Sequence, residues 1–197
     1  VTASPLAAGD DIELFRQQIC ECQQCPLGAT RTNFVFGTGN PDADLLFLGE
    51  APGRDEDLQG EPFVGAAGQL LTKIIEAMEL RRENVYICNV LKCRPPKNRD
   101  PEPDEVDACE PHLQRQIELV RPKLICVLGR IAAQTLLRTN SSLSRLRGEL
   151  HEYQGIPVIV TYHPAALLRD ASYKRSTWED VKWVRRELDG VEIGASQ

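Results

Sequence analysis

Apolar positions along the chain fall into two patterns. Short, nearly continuous apolar runs end in turn formers: "DLLFLGEAPG" (44–53), "NVYICNVLKC" (84–93), "KLICVLG" (123–129) and "PVIVTYHP" (157–164). Runs of this kind predict strands buried on both faces. Between them lie stretches with helical spacing. "GQLLTKIIEAMEL" (68–80) puts Leu70, Leu71, Ile74, Ile75 and Met78 on one face. "PDEVDACEPHLQRQIELV" (103–120) opens with proline and acids, as a helix N-terminus should, and Pro111 is expected to kink or restart that helix. "RIAAQTLLR" predicts an Ala-rich helix after the third strand, and "TWEDVKWVRREL" (177–188) a closing amphipathic helix. A first helix ends near Cys20.

Strands alternating with helices predict a three-layer α/β/α fold around a central, mainly parallel sheet of four strands. One domain is expected over 1–197, with an N-terminal helix and cysteine-bearing segment at 10–30 and a loose tail at 190–197. Repeats and low-complexity segments are absent from the sequence.

Composition sharpens the class. The 197 residues are 42% hydrophobic and 26% charged, which suits a globular chain long enough for a full core. No apolar run approaches the roughly 20 residues needed to cross a bilayer, so no membrane partner is expected. The opening "VTASPLAAGDD" lacks a basic region followed by an apolar core, so no signal peptide is expected and the cytoplasm is the expected location.

A net charge of −6 does not advertise nucleic-acid binding. The charge is uneven, however. "KCRPPKNR" holds Lys92, Arg94, Lys97 and Arg99 with no acid, and "LRTNSSLSRLRG" (137–148) is also basic. These are either a basic face for a polyanion or ordinary solvated loops.

Seven cysteines without a secretory leader argue against a disulfide framework and for metal binding. Cys22 and Cys25 form C-x2-C, and Cys93 and Cys109 form C-x15-C. Four such thiolates fit tetrahedral zinc or an iron–sulfur cluster, and the spacing does not separate the two. Cys88 and Cys126 lie inside strand patterns and read as core thiols. Cys20 is ambiguous.

Glu50, Asn89, Gly129 and His163 each stand where a predicted strand ends. Each alone reads as a turn former or cap. Together, at the carboxyl edge of a parallel sheet, they mark a binding crevice.

"CPLGATRTNFVFGTGNPDADLLFLGEAPG", "GEPFVGAAGQLL", "NVLKCRPPKNRDP" and "TYHPAALLR" resemble, in order and spacing from about Cys22 to Leu188, the bacterial and archaeal iron–sulfur uracil-DNA glycosylases called family four. The resemblance implies a [4Fe–4S] cluster on Cys22, Cys25, Cys93 and Cys109, acting as a staple, with Cys20 a bystander. It also implies uracil-containing DNA as the partner, a monomeric monofunctional glycosylase, and release of uracil to leave an abasic site. Phe63 matches the stacking wall for a flipped uracil. Asn89 can donate to uracil O4 and accept from N3–H, a pattern that cytosine inverts. His163 matches a donor to uracil O2. Ala51 stands where family-one relatives carry Asp in "GQDPY", so Glu50 or Glu56 is left to position water. The Pro52–Gly53 turn brings backbone N–H groups near the site.

Lys92, Arg94, Lys97 and Arg99 are implied to face the DNA backbone. Leu167 is favoured as the wedge that fills the vacated stack, and Arg169 as a plug or phosphate contact. Competing readings are a covalent or catalytically silent uracil-DNA binder and a DNA-polymerase-associated module. The first is disfavoured because "KCRPPKNRDPEPDE" lacks histidine. The second is disfavoured by the intact set of Glu50, Phe63, Asn89 and His163.

Overall fold

A computed structural model describes residues 11–190, so most of the expected loose tail lies outside the described residues. In chain order the helices are α1 (Ile12–Ile19), α2 (Arg54–Gln59), α3 (Ala66–Ala77), α4 (Pro103–Val120), α5 (Arg130–Leu137), α6 (Leu143–Leu146), α7 (Pro164–Arg169) and α8 (Tyr173–Leu188). The strands are β1 (Thr38–Gly39), β2 (Leu45–Gly49), β3 (Tyr86–Asn89), β4 (Leu124–Leu128), β5 (His151–Tyr153) and β6 (Ile156–Thr161).

The sheet order is β1-β3-β2-β4-β6-β5. Its four inner strands, β3, β2, β4 and β6, pair in parallel. These are the four that the apolar runs predict. The sheet nonetheless has six strands, because β1 and β5 add antiparallel edges. Both edges are too short to carry a hydrophobic period. β5 is joined to β6 by Gln154 and Gly155, both at positive φ, as a tight hairpin requires.

Side chains alternate across the sheet as the pleat demands. Leu46 and Leu48 of β2, Ile125 and Val127 of β4 and Val158 and Val160 of β6 pack with Leu113 and Ile117 of α4 and Ala132 and Leu136 of α5. Leu45, Phe47, Cys126 and Ile159 face the other way, onto Leu71 and Ile75 of α3 and Val181 and Val184 of α8. This is the expected three-layer α/β/α class.

Pro111 does not restart the helix: α4 runs unbroken through it. The ring lies on the solvent side, and the hydrogen bond it forfeits would have used the exposed Asp107 carbonyl, which water can reach. The buried stripe Cys109, Leu113, Gln116, Ile117 and Val120 holds the helix on the sheet across that point.

The end of β6 is pinned to α8. Buried Asp180 accepts from Thr161 Oγ1 at 2.6 Å and from Arg147 Nε at 2.8 Å. That anchor lies two residues before His163. No helix among the described residues is long and apolar enough to cross a membrane.

Candidate active site

All four parallel strands open their carboxyl ends into one cleft of about 740 Å³. Glu50, Ala51 and Gly53 follow β2, Asn89 ends β3, Arg130 opens α5 and His163 follows β6, and all line it. Phe63, from the loop before α3, forms a wall. The expected substrate-binding set is thus gathered in one place.

Asn89 is 2% exposed, and its Oδ1 has no hydrogen-bond partner. Among the described residues only Gln116 Oε1 shares that condition. A buried acceptor left unpaired costs about 1–3 kcal/mol, so it calls for a donor that arrives with a ligand. Gly49 makes room for it: a Cβ there would collide with Asn89 Oδ1 and the Phe63 ring.

His163 is both the turn cap and a cleft residue. Its Nδ1 accepts from Ala165 N–H at 3.1 Å at the start of α7. Burial, with Arg169 adding to it and Glu56 opposing, pushes its pKa down to about 4. A neutral ring whose Nδ1 accepts must carry its proton on Nε2. The Phe63 and His163 rings lie 5.5 Å apart, tilted by 31°.

The two carboxylates differ. Glu56 Oε1 accepts from Val64 N–H and Gly65 N–H, both at 2.9 Å, so one of its oxygens is committed to the loop that carries Phe63. For Glu50, burial and nearby Asp100 push the pKa up to about 7, against Arg130. Ala51 offers only a methyl group, half-buried against the core.

The expected DNA contacts need correction. Lys92 is fully buried, and its Nζ donates to the Asn89 carbonyl at 2.6 Å. It cannot reach a phosphate. Arg99 forks onto Glu105 at 2.6 and 2.9 Å, so the acid missing from its own segment arrives from the first turn of α4. Arg94 donates to Asn98 Oδ1 at 2.7 Å, and Lys97 stands exposed at positive φ. Leu167 is 4% exposed and packed inward, whereas Leu168 is 54% exposed. Neighbouring positions on a helix face different ways, and the buried one cannot enter a base stack. Arg169 lines the cleft.

The cysteines separate as expected from the strand pattern. Cys88 and Cys126 are buried inside β3 and β4, and burial pushes both thiols up. Cys20 caps α1 and donates to the Gln17 carbonyl. The other four are neighbours: Cys25 and Cys22 both oppose ionisation of Cys93, and Cys93 and Cys25 oppose that of Cys109. Burial is the larger cause in each case, and it pushes Cys109 up to about 11. Nitrogens face the sulfurs. Arg31 Nη1 lies 3.2 Å from Cys93 Sγ, Lys92 N 3.4 Å from Cys109 Sγ and His112 Nε2 3.4 Å from Cys22 Sγ. As free side chains they do not form a group that could hold a metal ion, among the described residues.

Sequence reasoning passed over Arg31 and His112, and also Tyr162 and Arg130, which line the cleft. Arg31 lies inside a motif already singled out. His112 follows Cys109 by three residues, a helical spacing that puts both on one face.

This site on this sheet defines a class. The sequence model of the uracil DNA glycosylase superfamily matches residues 36–183, and the chain belongs to that superfamily. Within it, the chain is 49% identical over 174 residues to a type-4 uracil-DNA glycosylase of Archaeoglobus fulgidus, covering 84% of this chain and 87% of the relative. A type-4 enzyme of Saccharolobus solfataricus is 43% identical over 193 residues, with 93% and 89% covered. One of Thermotoga maritima is 43% identical over 175 residues, with 87% and 91% covered.

Proposed function

We propose that this chain is a monofunctional uracil-DNA glycosylase: it hydrolyses the N-glycosidic bond of deoxyuridine in DNA, releasing uracil and leaving an abasic site for base-excision repair. The unpartnered Asn89 Oδ1 carries the reading, because it asks for a buried donor and uracil N3–H is one. The Asn89 amide then donates to O4. Phe63 stacks on the flipped ring.

As the C1′–N1 bond breaks, its electron pair passes to the uracil, and negative charge builds on O2. His163 Nε2–H donates to that oxygen. A pKa near 4 keeps the ring neutral, so it stabilises the anion without giving up its proton. Water adds its oxygen to C1′ and yields a proton to Glu50 or to solvent. The Glu50 carboxylate also faces the sugar cation. No lysine is among the described residues lining the cleft, which supports base removal without strand cleavage. Leu168 takes the role of wedge in place of Leu167, and Lys97 remains the free cation of the basic loop.

Drawn together from their neighbouring positions, Cys22, Cys25, Cys93 and Cys109 would supply the four thiolates of a [4Fe–4S] group. Ligation would settle the Cys93 and Cys109 thiolates, which burial otherwise disfavours, with the nearby nitrogens supporting them. When bound, the group supplies a cross-link between the N-terminal segment, the loop after β3 and α4. Unpaired thiols of this kind persist in a reducing compartment, which favours the cytoplasm. The monomer remains the expected state.

Uracil release from a single-stranded and a duplex oligonucleotide by anaerobically purified protein tests the activity. Absence of release from both would overturn it. His163→Ala should slow single-turnover excision by about a hundredfold or more, since one preorganised donor is worth roughly 3 kcal/mol. A parental rate would reduce the histidine to a helix cap.

Glu50 predicts a pH profile. The acid is neutral below about 7 and ionised above it, so the rate of the free enzyme should climb through about pH 7 and level off. Glu50→Gln should flatten that limb. The same shift acts oppositely on stability. The folded state holds this proton at pH values where the unfolded chain has lost it. The contribution is therefore present below the ordinary carboxylate value and is lost as pH rises toward 7.

A further inference from the structure

We propose that Arg82 is a positioning residue for base capture: its guanidinium clamps the Pro62–Phe63 turn and holds Phe63 in the backbone conformation that turns its ring into the cleft. The proposal rests on the reading of Phe63 as the wall against which uracil stacks.

Phe63 has φ 54°, in the left-handed region that a bulky L-residue rarely occupies. Such a conformation persists only where its surroundings over-determine it. Here they do so from both sides. Arg82 Nη2 donates to the Pro62 carbonyl at 2.9 Å, and Nη1 to the Phe63 carbonyl at 3.1 Å. The N–H groups of the next two residues, Val64 and Gly65, are taken by Glu56 Oε1. A cation therefore holds the carbonyls entering the turn, and a carboxylate holds the amides leaving it.

The fork is itself fixed. Nη1 also reaches Thr72 Oγ1 of α3 at 3.4 Å, and that hydroxyl donates to the Gly68 carbonyl at 3.1 Å. Gly68 is required for the same arrangement, because a Cβ there would collide with the Phe63 carbonyl. Arg82 sits in the short turn before β3, and Asn89 ends that strand. One strand thus connects the clamp on the stacking wall with the residue that reads the base edge.

Serving two consecutive carbonyls needs a rigid planar donor. A lysine keeps the charge but offers a single rotating point donor, so it cannot fix both. Glu61 is the charged neighbour that faces Arg82, and it works against the burial that pushes the guanidinium pKa down. The clamp needs no titration within the working range.

The test is single-turnover uracil excision by Arg82→Lys, Arg82→Ala, Phe63→Ala and the Phe63→Ala/Arg82→Ala double variant of the full chain. Thermal melting and inhibition by free uracil are measured in parallel. Both Arg82 variants should excise about ten- to hundredfold more slowly, the range that follows from a misplaced contact group. Both should need more uracil for half-inhibition. In the Phe63→Ala background, Arg82→Ala should add nearly nothing, because the ring it positions is gone. If Arg82→Ala does not fold, the Arg82→Lys rate and its uracil inhibition decide alone. Parental rate and inhibition with a lowered melting temperature would make Arg82 a structural residue and overturn the proposal. So would additive losses in the double variant, which would place its action elsewhere. Parental excision by Phe63→Ala would instead overturn the stacking reading itself, and the proposal with it.

Discussion

Asn89→Asp should lower uracil excision by about a thousandfold or more while leaving the fold intact. The substitution keeps shape and removes the amide donor. Uracil then brings one acceptor, O4, and one donor, N3–H, to a side chain with two acceptors. Two acceptors facing each other out of water cost several kcal/mol, and a site built around a hydrogen-bonding edge rejects the wrong edge by similarly large factors. The position leaves no escape. Asn89 is 2% exposed, and a Cβ at Gly49 would meet both its Oδ1 and the Phe63 ring, so the space beside that oxygen is narrow.

Cytosine offers the reverse edge, a donor at N4 and an acceptor at N3. The introduced carboxylate accepts from N4–H₂, and in the fraction that carries a proton it also donates to N3. A trace of cytosine release should therefore appear, most readily from a mismatched cytosine, where flipping costs least. The measurement is base release from matched oligonucleotides carrying one uracil or one mismatched cytosine. Parental uracil release would mean that Asn89 does not read the base. Uracil loss without cytosine release would mean that the carboxylate stays ionised and repels the leaving anion.

The second large effect is expected at the cysteines. Protein purified without oxygen should carry about four irons and four acid-labile sulfides, the content of the cluster type. Cys93→Ala should lose colour, iron and solubility together, and Cys22→Ala, Cys25→Ala and Cys109→Ala should follow it. Ligand binding that organises a fold counts directly as folding energy, on the order of 10 kcal/mol for structural zinc. A whole domain is stable by only about 5–15 kcal/mol. Loss of the cross-link can therefore cost most of the stability. Cys20→Ala, Cys88→Ala and Cys126→Ala should keep the iron. Zinc in place of iron in the anaerobic protein would sink the cluster assignment, as would full iron content in Cys93→Ala.

The inner sheet was legible because burial on both faces leaves an unmistakable apolar run. "KLICVLG" could hardly be anything else, and β4 occupies Leu124–Leu128. The strand ends followed, and with them the convergence of Glu50, Asn89 and His163 on one cleft. What stayed hidden depends on where the chain returns in space. Lys92 looked like a solvated cation because a sequence shows charge and not depth. Its residue follows β3 into the interior, and the Asn89 carbonyl receives its Nζ. Arg99 looked unpaired because Glu105 lies beyond two prolines, inside the next helix. Leu167 and Leu168 are adjacent, and in a six-residue helix the period is too short to say which faces inward. The strained turn at Phe63 was also out of reach, since its φ is set by Arg82 and Glu56, each far along the chain from the other.

The two edge strands have a bearing on how copies of this chain behave together. A sheet edge is an open row of backbone donors and acceptors, and a long flat one invites another chain to continue it. Here one edge is the two-residue β1 and the other the three-residue β5. Neither offers a ladder long enough to template an incoming strand, and β5 turns back on itself at once through the Gln154–Gly155 hairpin. The apolar inner strands, which would be the aggregation-prone stretches if uncovered, are thus screened from neighbours in crowded solution at almost no cost in residues.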